Sequence, residues 1–242
     1  MQIYTFKTDR ELDEAGAGIV ISLLRSVPGA SLGLATGQTP VGVYEELVKA
    51  YRKGHISFKK VNTYNLDEYR GVGKKDPRSF YAFMHQHLFQ HIDLPEEQIH
   101  IPDGEAEDVI LECNRYDALL GNVRQLDLQI LGIGLNGHIG FNEPNFRLSY
   151  GTHAVILSEE TRRVNSSFFH SLEEVPEQAI TMGVGAIMKA KKILFIARGE
   201  KKAEIVHRAL TGPITTECPA SLLQLHPDVI VLLDEGAGKL IG

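Results

Sequence analysis

Strand-like and helix-like segments alternate along nearly the whole chain, and this alternation restricts its fold more than any other feature. MQIYTF reads as a strand, and Thr8 with Glu11 forms a capping-box pattern that opens a helix reaching about Arg25. Residues 31–36 form the next strand, followed by a helix over residues 40–52 with Pro40 at a tolerated first-turn position. VNTYNL, QIHI, LDLQILGIG, HAVILS, AITMG, KKILFIAR and DVIVLLD supply further strands. Helices over residues 79–91, 106–123 and 199–210 separate them. Such spacing predicts an α/β fold: an open, mostly parallel, Rossmann-like sheet with helices on both faces, three layers deep.

Length and composition fit that fold. The 242 residues, 43% of them hydrophobic, are enough for one full core, and no linker, repeat or low-complexity tract suggests a split, so residues 1–242 are expected to form a single domain. The start, MQIYTFKTDRELDE, is acidic and lacks the apolar core of a secretory signal. No apolar run approaches the roughly 20 residues that span a membrane. Cys113 and Cys218 stand far apart with no CxxC or CxxH spacing, which disfavours a disulfide framework or a zinc site and points to a reducing cytoplasm. A net charge of −6 argues against a nucleic-acid partner, yet leaves room for a small anion gripped by a few local cations.

The most distinctive segment is LGIGLNGHIGFNEP, residues 131–144, directly after the strand run LDLQI. Four glycines in fourteen residues describe a tight turn, and they put His138 and Glu143 on a shaped loop outside any helix or strand. In an open α/β sheet, ligands bind beyond the carboxyl ends of the strands. Two more strand ends carry reactive groups: NLDEY delivers Asp67 and Glu68, and ATGQTP places Thr36, Gly37, Gln38 and Thr39 ahead of a helix. A loop leading into a helix start can bind an anion through backbone N–H groups and the helix dipole. Taken singly, each has a plainer reading: a glycine-rich connection, an N-cap carboxylate, an ordinary helix cap. Three together are hard to explain as packing.

ATGQTP, NLDEY and GLNGHIGFNEP, in this order, resemble the glucosamine-6-phosphate deaminases, also called isomerases. SFYAFMHQHLFQHIDLP, TRRVNSSFF, AITMGVGAIMKAKKILFIARGEKKAEIV and LLQLHPDVIVLLDE extend the likeness over most of the chain. The resemblance implies conversion of glucosamine 6-phosphate and water to fructose 6-phosphate and ammonia, without metal or organic cofactor. It implies that His138, with Glu143 and Asn136, assists ring opening, and that Asp67 carries the C2 proton to C1. It also implies that Thr36, Gly37, Gln38, Thr39, Arg162 and Lys202 hold the sugar phosphate, Lys201 being one residue of alignment slip away. Glu68 is set aside, because successive strand side chains point to opposite faces.

The likeness has two departures. Many members carry aspartate where this chain has Asn136, so an asparagine would offer the imidazole a hydrogen-bond acceptor in place of a charge. Longer members are hexamers activated by N-acetylglucosamine 6-phosphate through basic residues after FNEP and a C-terminal extension. Here His153 and Val155 stand at those basic positions, so a monomer or small homo-oligomer without that activation is expected. A 6-phosphogluconolactonase-like hydrolase and a noncatalytic phosphosugar sensor are the alternatives, although neither needs a base over C2. His87 and His91 have metal-compatible helical spacing, but no acidic cluster completes a site.

Overall fold

The structure is a computed structural model that describes residues 1–123, 125–166, 169 and 171–241. Chain order is β1 (Gln2–Phe6), α1 (Asp9–Ser26), β2 (Ser31–Leu34), α2 (Val41–Arg52), β3 (Asn62–Asn65), β4 (Asp67–Tyr69), α3 (Phe80–His87), β5 (Ile99–His100), α4 (Val109–Asn122) and β6 (Leu128–Leu131). It continues with β7 (His153–Ile156), α5 (Glu159–Asn165), β8 (Gln178–Thr181), α6 (Val184–Met188), β9 (Ile193–Ala197), α7 (Ala203–Thr211) and β10 (Val229–Asp234).

Seven strands form a parallel sheet in the order β1-β10-β9-β6-β2-β3-β5. The expected parallel α/β architecture is therefore present. Its central strands are buried end to end, as in β9, Ile193–Ala197, because helices shield both faces. The capping box at α1 forms as read: Thr8 Oγ1 accepts from Glu11 N, and Glu11 returns a carboxylate oxygen to Thr8 N at 3.0 Å. Gly16 lets α1 lie close on α2, since a Cβ there would come 2.8 Å from Val43 Cγ2.

Two of the predicted strands leave this sheet. HAVI and QAIT, β7 and β8, pair antiparallel with each other, and β8 pairs antiparallel with the three-residue β4. Exposure alternates along β7, which is what a strand with one wet face shows and a doubly covered parallel strand does not. The small sheet has its own apolar cluster, with Tyr69, Phe141 and Ala179 buried together. Leu66 joins the two sheets: its N–H donates to Leu34 O in the large one, and its carbonyl accepts from Met182 N in the small one. The cleft between the sheets lies at the carboxyl ends of β2, β3 and β6. Cys113 and Cys218 are both free and buried. Among the described residues, no helix is long and apolar enough to cross a membrane.

Candidate active site

At the end of β2 the chain turns through Ala35 to Thr39 into α2. Gly37 has φ +92°, a left-handed conformation that glycine adopts without strain. The buried Tyr44 hydroxyl donates to Ala35 O at 2.6 Å and pins the turn to the helix it precedes. Facing this turn, Lys202 donates from Nζ to Ile133 O at 2.6 Å. Burial lowers the Lys202 pKa below the usual lysine value. A helix start, two threonines and a half-buried ammonium are the kinds of donor that attract a small anion.

The glycine-rich loop after β6 is built around the imidazole. Gly134 N donates to His138 O at 3.0 Å, and Gly137 at φ +92° turns the chain between them. A Cβ on Gly134 would lie 2.2 Å from His138 Cε1, so only glycine leaves the ring its place. Gly134→Ala is therefore expected to displace the imidazole and cut turnover at least tenfold, with a change in melting temperature too small to account for it; steady-state kinetics beside thermal melts check this. Asn142 fixes the loop's far end, donating to Ile139 O and Met182 O at 2.9 Å each.

Glu143 sits behind His138, its Oε2 3.6 Å from Nδ1, longer than a hydrogen bond but close enough for an ion pair when the ring is protonated. Asn136 Nδ2 donates to the same oxygen at 2.6 Å, and Thr161 Oγ1 donates to Oε1 at 2.5 Å. Burial alone would raise this carboxyl, but His138, Thr161 and Asn136 outweigh it and bring the pKa down to about 2. Asn136 Oδ1 accepts from the His138 backbone N–H at 3.2 Å. The asparagine thus reaches the main chain and Glu143, and its carbonyl does not act on the imidazole ring as expected from the sequence.

Asp67 opens β4, at the junction of the two sheets. It pairs in register with Thr181, and a Cβ on Gly140 would come 3.6 Å from Asp67 Oδ2, so the carboxyl lies directly beside the His138 loop. Only 6% of Asp67 is exposed, and burial, reinforced by the charge of Glu68, pushes its pKa up to about 8. Glu68 points the other way along the strand and accepts from Tyr69, Phe80 and Tyr81 N–H groups, which caps the start of α3. Burial raises this carboxyl as well, against the pull of those three N–H groups.

One cavity of about 620 Å³ collects these groups: Thr36, Gly37, Gln38, Thr39, Asp67, Asn136, His138 and Lys202 all line it. Glu143 does not; it stands one layer back, behind the imidazole. Arg162 does not line it either; its Nε and Nη2 donate to the Leu172 and Val175 carbonyls, the nearer contacts at 3.0 Å. Of the TRRVNSSFF stretch, residues 167 and 168 lie outside the described residues. Tyr69, Phe80 and Thr161 are among the lining groups that escaped the sequence reading. Tyr69, two residues after Asp67, was available from strand alternation; Phe80 and Thr161 carried no local signal. His91 is used structurally, its ring nitrogens facing Arg52 and Gln86 O, and among the described residues no group of three or more His, Cys, Asp or Glu could hold a metal.

Residues 10–231 match the family model described as glucosamine-6-phosphate isomerases/6-phosphogluconolactonase. The chain belongs to this family. Within the isomerase/lactonase family, a glucosamine-6-phosphate deaminase of Thermoanaerobacter pseudethanolicus is 48% identical over 231 residues, 96% of this chain and 91% of that protein. One from Clostridium perfringens (strain ATCC 13124) is 47% identical over 241 residues and the full length of both. A solved structure of a monomeric glucosamine-6-phosphate deaminase superposes with a TM-score of 0.95 at 43% identity, covering 99% of this chain and 100% of its own.

Proposed function

We infer that this protein is a glucosamine-6-phosphate deaminase, converting glucosamine 6-phosphate and water to fructose 6-phosphate and ammonia. The observation that carries this reading is the meeting of Asp67 and His138 in one cavity that the 36–39 turn and Lys202 also line. A lactonase has no use for a buried carboxyl base beside the imidazole, whereas an aldose-ketose isomerisation requires one.

In this reading the turn of residues 36–39 and Lys202 hold the phosphate and orient the sugar across the cleft. The His138 imidazole, with Nδ1 towards Glu143, uses Nε2 to take the O1 proton and return one to the ring oxygen. Glu143 acts through the imidazole, stabilising its protonated form by charge. Asp67 then removes the C2 proton of the open-chain aldose, giving an enolamine, and returns it to C1, which leaves an imine at C2; the two bonded carbons are within reach of one base. Water adds to the resulting C2 imine, the C–N bond breaks, and ammonia leaves with the proton balance restored. The substrate's own C1 aldehyde supplies the electron sink and its nitrogen then pushes electrons back to form the C2 imine, so this chemistry calls for no cofactor. Arg162 is left out of the phosphate site, because it does not line the cavity.

Purified protein assayed for ammonia and fructose 6-phosphate tests the reading directly. Hydrolysis of 6-phosphogluconolactone without ammonia release from the amino sugar would replace it with the lactonase reading, and binding without turnover would replace it with the sensor. We further propose that activity needs no allosteric activator. Val155 and the neighbouring His153, whose Nδ1 faces Gly151 O at 3.0 Å, offer no phosphate grip comparable to a lysine and an arginine. Velocity is expected to rise hyperbolically with substrate and to be unchanged by N-acetylglucosamine 6-phosphate; a sigmoidal curve straightened by that compound would contradict this.

A further inference from the structure

The carboxylate behind the imidazole is held from two separate parts of the chain. One anchor, Asn136, belongs to the same loop as Glu143. The other belongs to α5, which comes after β7 and is capped by Ser158: Ser158 Oγ accepts from Thr161 N at 3.2 Å and donates to Thr161 Oγ1 at 2.9 Å. Thr161 passes its own proton on to Glu143 Oε1 at 2.5 Å. The helix cap thus reaches the carboxylate, mainly through Thr161; the Ser158 hydroxyl also lies 3.4 Å from Glu143 Oε1, a longer contact than its 2.9 Å bond to Thr161. Thr161 is 4% exposed and also lines the cavity, beside its neighbour Glu160.

This arrangement has a chemical consequence. A carboxylate with Oε1 bonded to a hydroxyl and Oε2 bonded to an amide is fixed in orientation as well as in charge. Only then does Oε2 stay directed at His138 Nδ1. The far side of α5 is tied separately, through Arg162 to the Leu172 and Val175 carbonyls. Any displacement of α5 therefore pulls directly on the group that orients the imidazole. The ionisable groups around this cavity include His138, with Glu143 behind it, Glu160 from α5, Asp67 and Tyr69 from β4, Arg78, His87 and Lys202.

We propose that Thr161 is a positioning residue for sugar ring opening, its hydroxyl making the aim of Glu143 at His138 depend on α5 being docked. The proposal rests on the deaminase reading and deepens it, separating the two proton movements: Thr161 serves the imidazole step and has no part in the Asp67 step.

The test compares Thr161→Val, which keeps the shape and removes the donor, with Thr161→Ser, which keeps the donor. With cyclic glucosamine 6-phosphate, Thr161→Val should lower kcat about tenfold or more, the scale of a lost hydrogen bond to a charged group. Thr161→Ser should retain most of the activity. With the substrate deuterated at C2, the primary isotope effect on kcat should shrink in Thr161→Val, because ring opening has become the slow step. A 4,5-dideoxy analogue, which lacks the hydroxyls that close a five- or six-membered ring, should be turned over by Thr161→Val and wild type alike. Should Thr161→Val not fold, Thr161→Ala removes the same donor and is read the same way. An unchanged isotope effect together with equal losses on the cyclic and dideoxy substrates would overturn the proposal and make Thr161 a structural residue. Absence of ammonia release from the wild-type protein would instead overturn the deaminase reading itself.

Discussion

Asp67→Asn is expected to abolish exchange of the C2 hydrogen with solvent and to lower kcat by about 10²- to 10⁴-fold, the range associated with loss of a positioned general base. The amide preserves the shape and cannot accept the proton. Exchange followed by NMR in D₂O reads this step apart from ammonia release, and retained exchange in the variant would remove Asp67 from the mechanism. The buried carboxyl adds a pH dependence. With a pKa raised to about 8 by burial, the base is mostly protonated at neutral pH, so kcat/KM should climb as pH rises towards 8.

The same shift has an opposite consequence for stability. Asp67 ionises in the unfolded chain near the ordinary carboxylate value and in the folded chain only near pH 8. The folded state therefore binds the extra proton between those limits. Asp67's contribution to stability is complete below the unfolded pKa and is lost as pH rises through the folded one. Asp67→Asn removes the titration. The variant should melt at a higher temperature than wild type at pH 8, with the gap narrowing towards pH 4. A variant that is less active and more stable is the signature of a group placed for chemistry at the expense of folding.

His138→Gln is the second large effect. Glutamine can occupy the loop and hydrogen bond, but it cannot accept a proton from O1 and pass one to the ring oxygen. A loss of about 10²-fold or more is expected on the cyclic substrate. Solvent exchange at C2 should survive once the chain is open, because Asp67 remains intact. Equal impairment of both steps would mean that the imidazole serves the enolisation as well. The variant also removes the imidazole that helps to hold down the Glu143 pKa, which should rise from about 2.

Most of the parallel framework was legible because it rests on local signals. The Thr8 and Glu11 capping box, the apolar runs of β9 and β10, and Gly37 ahead of a helix each carry their meaning within a few residues. The small antiparallel sheet was not legible. A four-residue strand such as HAVI has the same period whichever sheet it joins, and only its pairing with QAIT and DEY decides its place. The site divides along the same line. His138, Asn136 and Glu143 share one loop, so their proximity could be read from spacing. Thr161 reaches Glu143 across eighteen positions of chain, and no periodicity announces that contact.

The residue types alone determined which chemistry is available: an imidazole beside glycines, a carboxylate at a strand end, a threonine-glycine turn ahead of a helix. Tertiary structure decided what each group does. Burial at the sheet junction makes Asp67 a weak acid, while three nearby partners make Glu143 a strong one; the two are chemically similar side chains, and the difference lies in their surroundings. It also sent Arg162 to backbone carbonyls and brought Thr161 to the cavity in its stead. Solvation and hydrogen bonding are properties of the folded neighbourhood, and a linear chain does not carry them.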